Sequence, residues 1–220
     1  MKNIAIITAF AAIATALVSA TAIAAPTAEL KVTGVIKPPA CLPTFSGSGV
    51  VDYGTIPASS LTAGQYKTLD KKQVSFQVSC DAAVKVGFTL ADNRSSSRVT
   101  GIVAGVSVNS DERFNFGLGT VAGKNVGGYA LTLDTTLTTA DGVAVDNIYT
   151  TDNGNSWSAA GGLDNSGLFS FSTKGANQPV AAKQINATIN VQAVLNKPEN
   201  LPLTQDVPLD GSATIEVKYL

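Results

Sequence analysis

The sequence predicts an all-β sandwich. Three observations carry this: apolar residues recur at every second position in several separate runs, short Gly/Asn/Asp/Ser clusters punctuate the runs, and apolar repeats of helical period are hard to find after residue 25. The first run is "AELKVTGVIKPPAC" (28–41). Leu30, Val32, Gly34 and Ile36 fall on one side of it, and Lys31, Thr33, Val35 and Lys37 on the other. "VSFQVSC" (74–80) sets Val74, Phe76 and Val78 against Ser75, Gln77 and Ser79, and "VKVGFTL" (84–90) aligns Val84, Val86, Phe88 and Leu90. "YALTLDTTL" (129–137) alternates Tyr129, Leu131 and Leu133 against Ala130 and Thr132. "INATINVQAVL" (185–195) alternates from Ile185 to Leu195, and "SATIEVKYL" (212–220) places Ala213, Ile215, Val217 and Tyr219 on one face. Each reads as a half-buried antiparallel strand.

The punctuation is "SGSG" (46–49), "DNRSSS" (92–97), "DNGNS" (152–156) and "DNSG" (164–167), all rich in residues that tolerate or stabilise turns. Pro198, Pro202 and Pro208 mark a connection before the last strand, where no ladder donor is needed. The stretch 92–170 reads as loop-rich. No repeat or linker divides the chain, so one domain is expected.

Residues 1–24 read as a secretory signal: Lys2, an uncharged Ala-rich run, then small residues at Ala22-Ile23-Ala24. A membrane anchor is the rival, since the run is long enough to span. The composition and the small-residue ending favour cleavage after Ala24. Removing Lys2 moves the formal charge from −1 to −2, which offers no electrostatic attraction to nucleic acid or anionic lipid. Cys41 and Cys80 both lie in the exported part. An even count in an oxidising compartment favours one disulfide over two free thiols.

Catalytic chemistry is sparse. The chain has no histidine, which removes the commonest general base and metal ligand. Paired cysteines leave no thiolate. "TADGVAVDN" (139–147) and "DNGNS" lack the order of an EF-hand calcium loop, no G-x-S-x-G occurs, and "GLGTVAGKNVGG" (117–128) lacks the Lys-Ser/Thr of a phosphate loop. The expectation is a non-enzyme without metal or cofactor. Trp157 in "GNSWSAAGG" is a weak candidate for stacking on a sugar; local packing is the simpler reading.

The ends of the chain resemble pilin subunits of bacterial chaperone–usher fimbriae, and within them the fimbrial-type proteins labelled only as a domain of unknown function. The likeness rests on "LKVTG" with Gly34 followed seven residues later by Cys41, on Cys80 within "VSFQVSC", on "VDYGTI" (51–56) between the cysteines, and on Tyr219 next to last on an alternating strand. It departs at "QDVPLDG", where Gly211 lies closer to the end than the glycine usual in pilins. The resemblance implies an immunoglobulin-like sandwich that is incomplete and is completed by a donor strand from a neighbour. It also implies the Cys41–Cys80 pairing.

On that reading residues 1–24 are the signal, 25–37 the donor segment and 38–220 the pilin-like domain. Leu30, Val32, Gly34 and Ile36 would enter a neighbour's groove, and Ala213, Ile215, Val217 and Tyr219 would line the groove edge that a periplasmic chaperone covers first. The expected function is a structural fimbrial subunit contributing to cell adhesion. Its partners would be a periplasmic chaperone, an outer-membrane usher and other copies or related pilins, and it would pass through the periplasm to the cell surface. A host receptor is left open. Residues 28–37 also fit the first strand of a self-contained sandwich, and the alternative is then a periplasmic or secreted binding protein.

Overall fold

The structure, a computed structural model, describes residues 26–220. The expected signal, 1–24, lies outside the described residues. The chain divides into two units, Met1–Lys37 and Pro38–Leu220. In the first unit, residues 26–37 form no strand or helix, and Leu30, Val32, Val35 and Ile36 are each at least 90% exposed.

The second unit is all-β. Its strands are β1 (Cys41–Phe45), β2 (Lys67–Thr68), β3 (Lys72–Asp92), β4 (Phe116–Gly117), β5 (Thr120–Val121), β6 (Lys124–Asn125), β7 (Gly127–Leu133), β8 (Thr139–Ala140), β9 (Val143–Thr150), β10 (Ser158–Ala159), β11 (Leu168–Thr173), β12 (Ala181–Leu195) and β13 (Ala213–Tyr219). One layer pairs β1 with the first half of β3, then β12, then β7 and β4; β2 and β8 also pair with β12. The other pairs β13 with the second half of β3, then β11, β9 and β10. All these pairings are antiparallel.

β3 joins the layers. The sequence separates "VSFQVSC" from "VKVGFTL", yet the two form one 21-residue strand. The intervening "DAA" holds no Gly, Pro or Asn to turn the chain. Pairing with β12 carries it across, and the β12 register shifts between Ala182 and Gln184 where the strand passes between layers. The two halves then face each other: the Phe76 and Phe88 rings lie 5.6 Å apart, and Phe88 continues to Phe169 at 5.7 Å and Phe171 at 5.8 Å. All four rings are at most 1% exposed. Burial of each contributes about 1.5–3 kcal/mol.

The expected alternation is kept along β12, where Ile185, Ala187, Ile189, Val191, Ala193 and Leu195 are buried. It blurs along β7. Ala130 was expected on the solvent side, but it is buried with Val194 beneath Ile102 and Val103 of the preceding loop. The "YALTLDTTL" strand ends at Leu133 because Asp134 accepts the Thr136 amide and so begins a turn.

Cys41 and Cys80 are opposite one another in the β1–β3 ladder and form a disulfide. Closing a loop with 39 residues of separation contributes about 3–4 kcal/mol by restricting the unfolded chain. Replacing both cysteines with alanine is expected to lower the unfolding free energy by about that amount, read from urea titrations. A loss below about 1 kcal/mol would mean that the unfolded chain is already restricted there.

Candidate strand-binding cleft

β1 and β13 lie on the same side of β3, at opposite ends of its bend. They meet where the Tyr219 hydroxyl accepts a hydrogen bond from the Cys41 amide at 2.9 Å. From that vertex one follows each layer, and a cleft opens between them.

The first wall leaves the sheet because of its sequence. "SGSG" places Gly47, Ser48 and Gly49 in the left-handed region, at φ 56°, 56° and 75°. This turns the chain away from β3 after Phe45. The segment 50–57 then runs without regular structure, and Asp52 accepts the Gly54 amide at 2.7 Å to make a further turn. Tyr53 ties this wall to the floor. Its hydroxyl donates to Val191 O at 3.0 Å and accepts from Ala193 N at 3.2 Å. These β12 groups lie where the β3 ladder has ended, at Val191 opposite Lys72. Burial pushes the Tyr53 pKa up.

The second wall is β13. Ala213, Ile215 and Val217 are only half-buried, although they pack against the main core. Among the described strands β13 pairs with β3 alone. Asn93 N donates to Ser212 O at 2.9 Å and Leu220 N to Lys85 O at 3.1 Å. Even-numbered residues therefore direct their backbone groups at β3, and the N–H and C=O groups of Ala213, Ile215 and Val217 point to the open edge.

The cleft between the walls encloses about 350 Å³ over a floor of Val74, Leu90, Leu131, Ile189 and Val191. Past Val51, Tyr53 and Leu209 it continues into a wider space of about 870 Å³ that includes Ile56, Leu61, Leu201, Leu203 and Val207. Residues 201–211 border both spaces as a strap. Arg94 holds the strap through two bonds to the Asp210 carboxylate, at 2.8 and 2.9 Å, and Asp210 N donates to Leu118 O at 3.0 Å. The Arg94 guanidinium holds the Asp210 carboxyl below its usual range. Gly211 packs so closely on Tyr129 that a Cβ there would lie 2.9 Å from its ring.

Of the residues singled out in the sequence, Cys41 and Cys80 are bonded, Ala213 and Ile215 line the cleft, and Val217 packs partly buried against the core nearer the vertex. Tyr219 is 54% exposed, and its hydroxyl stands at the vertex against the Cys41 amide. Leu30, Val32, Gly34 and Ile36 lie in the unpaired segment 26–37. Trp157 is 7% exposed and its Nε1 donates to Gly154 O, so it packs locally. The acids of the glycine turns bind backbone: Asp141 accepts from Lys183 N and Gln184 N, and Asp152 from Ser156 N. Hydrogen bonds from Ser156 and Thr150 hold the Asp152 carboxyl down to about 2. Among the described residues no group of three or more His, Cys, Asp or Glu side chains stands close enough to hold a metal ion.

Sequence reasoning did not find Tyr53 or the strap. "VDYGTI" was legible as an element between the cysteines, but the hydroxyl's role depends on where β3 stops pairing with β12, which no local pattern encodes.

Residues 30–130 match a family model described as a protein of unknown function (DUF1120). The chain is also similar to two proteins of Escherichia coli (strain K12). It is 26% identical over 216 residues to the "Uncharacterized protein YhcF", covering 87% of this chain and 89% of that one. It is 28% identical over 254 residues to "Protein GltF", covering 100% and 98%.

Two outcomes follow from the cleft. Tyr53→Phe leaves Val191 O and Ala193 N without their partner and is expected to destabilise the fold by about 1–3 kcal/mol, measured by urea unfolding; an unchanged midpoint would show that water replaces the hydroxyl. Asp210 has a folded pKa below its unfolded value of about 3.9, so its contribution is present above that value and lost as pH falls through the folded one. Protection of the Asp210 amide, its exchange relative to the intrinsic rate at each pH, is therefore expected to fall as pH drops below about 4, and Asp210→Asn to lower it at neutral pH. Protection unaffected by either would show that the ion pair does not hold the strap.

Proposed function

We propose that the chain is a structural subunit of a chaperone–usher fimbria, exported through the periplasm and assembled on the cell surface by strand donation between copies. One observation carries the reading: among the described residues, an apolar cleft runs along a strand whose outer backbone edge has no partner, while an alternating apolar segment, 28–37, pairs with no strand.

The two halves are complementary in kind. An open edge with half-buried Ala213, Ile215 and Val217 beside it is a template for β-addition. Main-chain bonds to the free N–H and C=O groups would hold a guest strand, and alternate side chains would enter the cleft. Leu30, Val32 and Ile36 supply such side chains, each gaining about 1.5–3 kcal/mol on full burial. Gly34 suits a shallow point or a close backbone approach. Pro38-Pro39 ends the donor before Cys41 fixes it to the body.

An unfilled cleft also explains the need for partners. A periplasmic chaperone would cover the edge before assembly, and an outer-membrane usher would exchange that cover for the next subunit's segment. The fibre would contribute to cell adhesion. The likeness of the chain's two ends to pilins supports this reading, as does the disulfide beside the vertex. No catalysis, metal or cofactor enters it.

The test compares the mature chain with and without residues 25–37. The shortened chain is expected to melt well below the full chain in its assembled form, and to regain stability when a peptide of residues 25–37 is added. A shortened chain that is a stable, cooperative monomer indifferent to the peptide would contradict strand donation and favour a self-contained secreted sandwich.

A further inference from the structure

The geometry points to a charge code that sets the direction and register of the guest strand: antiparallel to β13 of the next copy, with Glu29 opposite Lys218 and Lys31 opposite Glu216. This rests on the strand-donation reading above and adds to it the residues that decide how the strand sits.

The backbone limits the choices. Ala213, Ile215 and Val217 present their free N–H and C=O groups to the open edge and turn their side chains inward, Ala213 and Ile215 into the cleft, while Thr214, Glu216 and Lys218 point outward. A guest that buries Leu30, Val32 and Ile36 must set its even-numbered residues opposite the odd-numbered residues of β13. Glu29 and Lys31 then lie in the same outward row as Glu216 and Lys218. Registers in one direction can differ only by steps of two residues.

Both strands carry the same triplet in that row, Glu29-Leu30-Lys31 and Glu216-Val217-Lys218. Within each segment the acid and base are already neighbours, at 4.0 Å for Lys31 and Glu29 and closer for Lys218 and Glu216 of β13. Laid parallel and in step, the triplets set Glu against Glu and Lys against Lys. Parallel but shifted by two, they make a single opposite-charge pair. Laid antiparallel with Leu30 opposite Val217, they make two. A slip of two residues one way sets Lys31 against Lys218, and the other way sets Glu29 against Glu216. Each neighbouring register therefore replaces both attractive pairs with one repulsive contact. The charged pairs also fall at the non-hydrogen-bonded positions of the new ladder, where facing side chains come closest.

The inward row agrees with this register. Leu30 falls beside Val217, Val32 beside Ile215 and Gly34 beside Ala213. Ile36 falls beside Gly211, which itself packs closely on Leu118 and Tyr129.

A two-by-two titration tests the code. Labelled peptides of residues 27–37, native and with E29K/K31E, are titrated by fluorescence anisotropy onto the full mature chain, native and with E216K/K218E. The protein is kept too dilute to self-assemble, at low salt. The native pair and the doubly reversed pair are expected to bind about ten-fold more tightly than the two mixed pairs, and high salt should shrink the difference. Equal binding in all four combinations overturns the charge code and leaves strand donation standing. Tighter binding of the mixed pairs means a parallel, in-step strand and also overturns it. No binding of either peptide to the native chain overturns strand donation together with the code. If E216K/K218E weakens both peptides alike through damage to β13, the two peptides against the native chain decide: a ten-fold loss on reversal supports the code, and no loss overturns it.

Discussion

A strand inside a sheet has two neighbours, and among the described residues β13 has one. The N–H and C=O groups of Ala213, Ile215 and Val217 face an opening, and their side chains lie half-buried against the apolar core. The exposed edge is a consequence of the framework. β3 bends to serve both layers, so the strands on its outer side, β1 and β13, must part company beyond the Cys41–Tyr219 contact. The left-handed turn at 47–49 then takes the chain away from β3 and leaves the wedge unfilled.

Much of the surrounding structure manages this opening. The Tyr53 hydroxyl satisfies two β12 backbone groups that would otherwise lie bare at the end of the β3 ladder. The strap carries Leu201, Leu203, Val207 and Leu209 along the far end, fastened by Asp210 to Arg94 and Leu118. The body keeps a continuous core despite the gap, because the linked rings of Phe76, Phe88, Phe169 and Phe171 lie away from the cleft lining. An apolar edge of this kind is ordinarily an aggregation hazard. A protein that assembles through it would put that hazard to use, with the outward charges of the edge strand choosing among ways of pairing.

The main strands were legible because alternation over six or more residues survives burial on one face, as along β12 and β13. Three features were not. The union of 74–80 with 84–90 depends on the absence of a turn residue between two convincing runs, and on a partner strand more than ninety residues away. The burial of Ala130 and Val194 on the outer face depends on a loop, around Ile102 and Val103, that carries no period of its own. The first wall of the cleft is irregular, so its role came only from its position beside β13. The alternation of Ala213, Ile215 and Val217 was legible along β13, but that pattern could not say whether their free side meets another strand, a loop or nothing.

That last point is the most directly measurable. Amide hydrogen exchange of the isolated monomer, read at Ala213, Ile215 and Val217 and again after a peptide of residues 27–37 is added, follows the backbone groups at issue. The account predicts rapid exchange at these three amides in the monomer, slow exchange at Thr214, Glu216 and Lys218, and protection of the first three once the peptide is bound. Strong protection of Ala213, Ile215 and Val217 in the isolated chain would contradict it, since the edge would then already have its second neighbour.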